Sequence, residues 1–277
     1  VCSSDLLIMR LSFYCVLEVC IEDPDEPKDP ETPHFIPAYS QKVKASKEFQ
    51  TFQFDHSFVL NSLKSSMEGY VFHNQPLDTD DLLEQTVKLF NSCKTSLELF
   101  DMLHNMRAYD DSTYAHSLNV ALICRRIGKW LKVDAATLDT LTLCGLLHDI
   151  GKLKIPDEIL NKPGKYTDEE FDLVKRHTKF GYELLKTLNI DPHIKKAALL
   201  HHERCDGSGY PLKATQKDLD NFSMVVAIAD VYDAMTAARS YRAPLCPFQV
   251  IERFEQEGLQ KYKPKFILTF LQHIAST

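Results

Sequence analysis

Leu138-Asp-Thr-Leu141-Thr-Leu143-Cys-Gly-Leu146-Leu147-His148-Asp149-Ile-Gly151-Lys152 runs an apolar helical pattern directly into two ligand-type residues. Burying such groups costs free energy unless they find partners. A second pair, His201-His202, opens the stretch Glu-Arg-Cys-Asp206-Gly207-Ser-Gly209-Tyr210-Pro211. There the glycines flanking Ser208 predict a tight positive-φ turn, and Pro211 fixes the exit direction. His116, His177 and Asp230 sit on further apolar helical faces and share the predicament.

One metal cluster would satisfy all of these side chains together. Imidazoles and carboxylates without thiolate suit Fe, Mn, Co or Zn and disfavour a structural Cys-type zinc site. The set is too large for one tetrahedral ion and suits two ions that share a carboxylate. Asp149, directly after His148, is the candidate bridge. Two neighbouring ions generate hydroxide at neutral pH and hold phosphoryl oxygens for in-line displacement, which implies phosphoester hydrolysis. Lys152, one helical turn beyond His148, is placed to neutralise the phosphate or protonate the leaving oxygen. Arg239 and Arg242, just past the helix of Asp230, are placed to reach a second phosphate.

Working outward, the pattern from about residue 95 is almost wholly helical. Leu118, Ala121, Leu122, Arg125 and Ile127 to Leu131 repeat at helical spacing after His116. Thr167-Asp-Glu-Glu170 reads as a capping box opening a helix whose stripe is Phe171, Val174, Phe180, Leu184 and Leu188, with His177 on the same side. Asp191-Pro192 predicts another helix start, and Ser223 is expected to open the helix through Asp230. Pro247 and Gly258 bracket a further helix, and one more begins near Lys263. The fold class is therefore mainly α.

Residues 1–93 read as an accessory region of mixed α/β character, and 94–277 as the main domain. Phe13 to Ile21 is a candidate strand, and 23–37 is a Pro-rich acidic loop. Helical spacing returns from Ser46 to Met67 and from Asp78 to Phe90, with Asp78 or Thr79 as cap. Val1 to Leu6 matches one reading frame of a sequencing-adapter oligonucleotide, so the expectation is that the true N-terminus is missing, and a C-terminal extension with it.

With 277 residues, 44% of them hydrophobic and 26% charged, the chain can build a sizeable core. Its net charge of −7 argues against embracing long nucleic acid. No apolar run reaches the ~18 residues of a membrane span, because Arg10 and Glu18 interrupt the only candidate. The 8 cysteines show no metal-like or disulfide-like spacing. Reduced, buried thiols in a cytoplasmic protein are the expectation.

His116, His148-Asp149-Ile-Gly151-Lys152, His177, His201-His202-Glu-Arg-Cys-Asp206-Gly207-Ser-Gly209-Tyr210-Pro211 and Ala229-Asp230-Val-Tyr-Asp, in this order, resemble the HD-GYP branch of the HD superfamily. The resemblance covers about residues 100 to 272. It implies an all-helical phosphodiesterase with two or three iron or manganese ions, hydrolysing the bacterial second messenger cyclic di-GMP to pGpG and, in some members, onward to GMP. Carried over by position, His116, His148, Asp149 and Asp230 hold one ion, and Asp149, His177, His201 and His202 the other. Lys152 approaches the scissile phosphate, while Arg239 and Arg242 grip the substrate. The loop Asp206, Gly207, Gly209, Tyr210 and Pro211 is implied as a contact for GGDEF diguanylate cyclase domains, and a homodimer is a further expected assembly. Members with three metals carry a Glu one helical turn before the first His. Ser112 occupies that position here, with Asp110 and Asp111 nearby, so the expectation is two ions. The alternatives are another cyclic dinucleotide or nucleotide as substrate, or a non-catalytic binding module.

Overall fold

The computed structural model describes residues 39–106, 112–236 and 247–276, and among them the regular structure is entirely helical. In chain order the helices are α1 (Tyr39–Ala45), α2 (Lys47–His73), α3 (Thr79–Ser92), α4 (Ser96–Met106), α5 (Thr113–Trp130) and α6 (Ala135–Leu147). A 3-10 turn at Ile150–Lys154 leads to α7 (Asp157–Leu160), α8 (Asp168–Lys175), α9 (His177–Leu185), α10 (Pro192–Leu200) and α11 (Asn221–Thr236). The last elements are α12 (Pro247–Glu257), a 3-10 turn at Leu259–Lys261 and α13 (Pro264–Ser276). The candidate strand at Phe13 to Ile21 and the Pro-rich stretch lie outside the described residues.

Local chemistry sets most helix starts. Ser46, Asp78, Ser112 and Asp134 each accept the backbone N–H three residues on, leaving one fewer orphan donor in the first turn. Thr167 and Glu170 form both bonds of the capping box. Asp191 caps α10 with Pro192 at its first position. The start of α11 differs from expectation. Asp220 accepts from the Ser223 N–H at 2.8 Å, so the cap lies upstream and Ser223 is buried within the helix. The single helix expected after Thr167 is two, joined at Arg176, which ends α8 and precedes α9. The expected stripe is not the buried one: Phe171 is exposed, half a revolution from Phe180, and the buried side is Val174, His177, Thr178, Gly181 and Leu185.

The centre of the fold is α5, where Leu118, Ala121, Leu122, Ile123, Cys124 and Ile127 are fully buried. A helix buried nearly all round must be covered on every side. Here α6, α11, α13 and α2 supply the cover. Each fully buried Leu or Ile is worth about 1.5–3 kcal/mol of transfer free energy. Arg125 belongs to this interior through its bonds to Asp139 Oδ1 at 2.8 Å and Thr142 Oγ1 at 3.0 Å, which compensate a charge on an apolar face. One hydrophobic core runs from Phe49 on α2 to Ile274 on α13. The long helix α2 is also tied to the site-bearing helices. Tyr114 at the start of α5 donates to Glu68 Oε1 at 2.8 Å, and the Tyr70 hydroxyl donates to the Leu184 carbonyl of α9.

Among the described cysteines, Cys93, Cys124 and Cys144 are buried thiols and Cys205 is half-buried, none in a disulfide. Among the described residues no helix is long and apolar enough to cross a membrane.

Helices α5 and α6 pack closely against each other. A Cβ on Gly145 would stand 2.5 Å from the Ala121 Cα, a backbone atom that cannot swing away. Gly145→Ala is therefore expected to destabilise the fold by about 1–3 kcal/mol. That corresponds to a fall in melting temperature of roughly 2–4 °C per kcal/mol, and a calorimetric melt within about 1 °C of wild type would contradict this crossing.

Candidate metal centre

Helix ends deliver most of the cluster. His148 terminates α6, Asp149 opens the following 3-10 turn, His177 begins α9 and His201 terminates α10. His116 projects from the first turns of α5, and Asp230 from α11. Lys152 lies on the 3-10 turn. The α-helix has already ended before it, so its approach to the site follows from the tighter winding and not from an extra α-helical turn.

At a helix C-terminus the last carbonyls lack intrahelical donors. The histidines use carbonyls close by in the chain. His148 Nδ1 bonds the Gly145 carbonyl at 2.7 Å, His177 Nδ1 the Val174 carbonyl at 2.7 Å and His201 Nδ1 the Ala197 carbonyl at 2.9 Å. With Nδ1–H donating, each ring is held in the tautomer whose Nε2 lone pair points inward.

Those nitrogens converge on Asp149, whose side chain is 1% exposed. Its Oδ2 lies 3.3 Å from His148 Nε2, 3.7 Å from His116 Nε2 and 2.5 Å from Lys152 Nζ. Its Oδ1 faces the other way, 3.3 Å from His177 Nε2 and 3.6 Å from His201 Nε2. Asp149 thus belongs to two groups of closely spaced donors, one with His116 and His148, the other with His177, His201 and His202. Asp230 lies beside both, its Oδ1 3.0 Å from His116 Nε2 and its Oδ2 3.7 Å from His202 Nδ1.

Metal ions fit this set on the chemistry of the donors themselves. His148 Nε2 and Asp149 Oδ1 are buried without a hydrogen-bond partner, an arrangement a folded chain avoids unless something else takes the lone pairs. Burial raises the Asp149 carboxyl, but the Lys152 charge and then His148 outweigh it and hold it well below the usual range. For Asp230, burial is overcome by the hydrogen bond from His116 and the charge of His202, with the same outcome. Burial lowers His201 to about 4, and burial plus the neighbouring His201 holds His202 well below the usual imidazole range. Both carboxylates are ionised and both of these rings neutral near pH 7, as ligands must be. His116 is the exception. Burial acts to lower it, yet Asp230 and Asp233 raise it to about 9, so a proton is this ring's alternative to a metal ion.

Two residues that lie within the sequence motifs but were given no role there support the cluster. Asp233 Oδ2 accepts from His116 Nδ1 at 2.8 Å, the carboxylate–histidine arrangement that orients a ligand ring. Its spacing of three from Asp230 on one helix was the available signal. Glu203 is buried and takes the Leu212 N–H at 2.6 Å and the Ala214 N–H at 3.0 Å, closing the Asp206–Pro211 loop on itself. No periodicity distinguishes that glutamate from a solvated neighbour.

The loop departs from expectation at one glycine. Gly207 has φ +78°, but Gly209 does not share that conformation. Gly209 is needed because a Cβ there would lie 2.4 Å from the Glu203 Cα and 2.5 Å from the His202 carbonyl. That approach presses Tyr210 onto His202, the two rings stacked at 4.7 Å. Gly151 serves in the same way against α9, where a Cβ would meet the His177 carbonyl at 2.0 Å. Ser112 caps α5, its Oγ accepting from the Ala115 N–H at 3.2 Å. Arg239, Arg242, Asp110 and Asp111 lie outside the described residues.

A profile of the HD domain matches residues 81–266. The chain belongs to the HD domain family. The match begins within α3 and includes His148-Asp149. The 3'3'-cGAMP-specific phosphodiesterase 2 of Vibrio cholerae is 34% identical over 183 residues, 65% of this chain and 35% of that protein. A cyclic di-GMP phosphodiesterase of Thermotoga maritima is 35% identical over 179 residues, 64% of this chain and 48% of that one. The chain therefore spans between about a third and a half of these relatives' lengths. Bd1817, a HDG"Y"P protein from Bdellovibrio bacteriovorus, shares the HD fold at 17% identity, with a TM-score of 0.58 over 85% of this chain and 75% of that one.

Replacing Asp233 by Asn keeps the shape but removes the charge behind His116. Its expected effect is an affinity loss of about 10–100-fold at the His116 side of the HD cluster. Competition with a chelating dye reads this directly, and unchanged affinity would show that Asp233 does not tune the ligand.

Proposed function

We propose that this chain is a metal-dependent phosphodiesterase that hydrolyses cyclic di-GMP to linear pGpG and pGpG onward to GMP. The observation that carries the reading is the buried Asp149 carboxylate, which presents one oxygen to each of two histidine groups beside Lys152. The names of the similar Thermotoga maritima and Vibrio cholerae proteins support the substrate class.

On this reading His116, His148, Asp149 and Asp230 hold one divalent ion, and Asp149, His177, His201 and His202 a second, iron or manganese. Bound ions of this kind supply a hydroxide nucleophile near neutral pH and offset charge on the phosphoryl oxygens. The protein's own residues do the rest. Asp149 keeps the two donor groups in register, and the Nδ1–carbonyl ties stop the rings from turning away. Lys152, 23% exposed at the edge of the cluster, meets the scissile phosphate and passes a proton to the leaving oxygen. Arg239 and Arg242 hold the second phosphate. Residues 1–93 form the accessory region and 94–277 the catalytic domain, with the Asp206–Pro211 loop as the docking surface for GGDEF domains. Ser112, occupied in capping α5, supports two ions and not three.

A second reading, 3'3'-cGAMP as the preferred substrate, is favoured by the relative at 34% identity. Turnover of a cyclic dinucleotide panel with Mn²⁺ and with anaerobic Fe²⁺, followed by product chromatography, separates the two. No turnover of any member would refute the function.

Asp149→Ala should lose both ions and all turnover, while Lys152→Ala should keep its ions and lose about 10²–10⁴-fold in kcat. Mass-spectrometric metal analysis of anaerobically purified protein should give two ions per chain, and three would overturn the argument from Ser112.

A further inference from the structure

Exposed single apolar residues are ordinary on protein surfaces and mean little alone. Phe171, 45% exposed on α8, is set apart by what it continues. Its ring lies 6.3 Å from the Tyr210 ring, edge to face at 79°. Tyr210 in turn stacks on the His202 ring at 4.7 Å and 29°. A ladder of rings therefore leads from a donor of the metal cluster to solvent, ending on an aromatic side chain that nothing covers completely. Lys175, one turn along α8, holds its Nζ 4.9 Å from the Phe171 ring centroid and 2.5 Å from Asp172 Oδ1. The outer end of the ladder thus pairs a π-face with a cation, and α8 itself leads into His177, so its position is fixed relative to the cluster.

We propose that Phe171, backed by Tyr210, is the platform on which a purine base of the substrate stacks when its phosphate lies at the metal cluster. This rests on the phosphodiesterase reading and adds to it the group that recognises the base. Stacking suits this position because an aromatic face accepts any nucleobase, while the Lys175 ammonium offers a donor to ring oxygens or nitrogens. Phe171 touches no donor of the cluster in this arrangement, so it is a specificity and positioning residue. Its removal should weaken substrate binding and leave the chemical step intact.

Phe171→Ala and Phe171→Leu should each raise KM for cyclic di-GMP on the order of ten-fold, with kcat and metal content unchanged, and Phe171→Trp should restore KM. Phe54→Ala, at another exposed phenylalanine, should leave KM unaltered. If Phe171→Leu matches wild type, the position needs only an apolar side chain and the proposal fails. A second measurement does not depend on turnover. The chain has 1 Trp, Trp130, which stacks on His273, so Phe171→Trp adds a reporter whose emission is read against the parent protein. GMP should quench it, and ribose 5-phosphate, which lacks the base, should not. Equal responses to both, or none to either, would overturn the platform. Should the wild-type protein turn over no cyclic dinucleotide, the function falls, and quenching by GMP alone still decides whether Phe171 binds a base.

Discussion

Everything in this structure answers to one constraint, a carboxylate held almost entirely out of water. An isolated ionised Asp149 in the interior would be several kcal/mol unfavourable. Lys152 at 2.5 Å relieves part of that, and four imidazole nitrogens within 3.7 Å surround the rest. Because these groups come from α5, α6, α9, α10 and the 3-10 turn, the fold must bring the ends of several helices to one point. The largely buried α5 and the close crossing at Gly145 hold those ends together.

The same constraint explains the loop after His202. Glu203, itself buried, has no cation beside it in the bonds described and is satisfied by two backbone N–H groups of its own loop. The chain there is folded back so tightly that only glycine fits at 209. Tyr210 is thereby set against His202. Loop, His202 ring and aromatic rim are each held through the next.

Much of this was legible in the sequence wherever the signal is local. Caps at Asp78, Thr167 and Asp191 depend on a side chain reaching a backbone N–H two or three residues away, so composition at those sites suffices. The ligand-type residues were legible because His and Asp on apolar faces need a reason. What escaped depends on tertiary contact. The break at Arg176 is invisible to a periodic pattern that continues through it, and Phe171 lies half a revolution from Phe180, so the two never shared a face. Ser223 looked like a cap because capping residues are recognised by type, whereas Asp220 wins by geometry. Asp233 gains its importance from His116, signalled only by its spacing of three from Asp230, and Glu203 from a loop folded back in space, which no spacing rule reports.

The carbonyls that hold His148, His177 and His201 belong to Gly145, Val174 and Ala197. Backbone oxygen is common to every amino acid, so at Val174 and Ala197 the orientation of the His177 and His201 rings depends on chain path and not on side-chain identity. A survey of substitutions would score those positions by their packing alone and miss their part in orienting ligands. The exchange of an amide for an ester one residue on, which weakens the carbonyl as an acceptor without altering any side chain, is the kind of change this centre would feel.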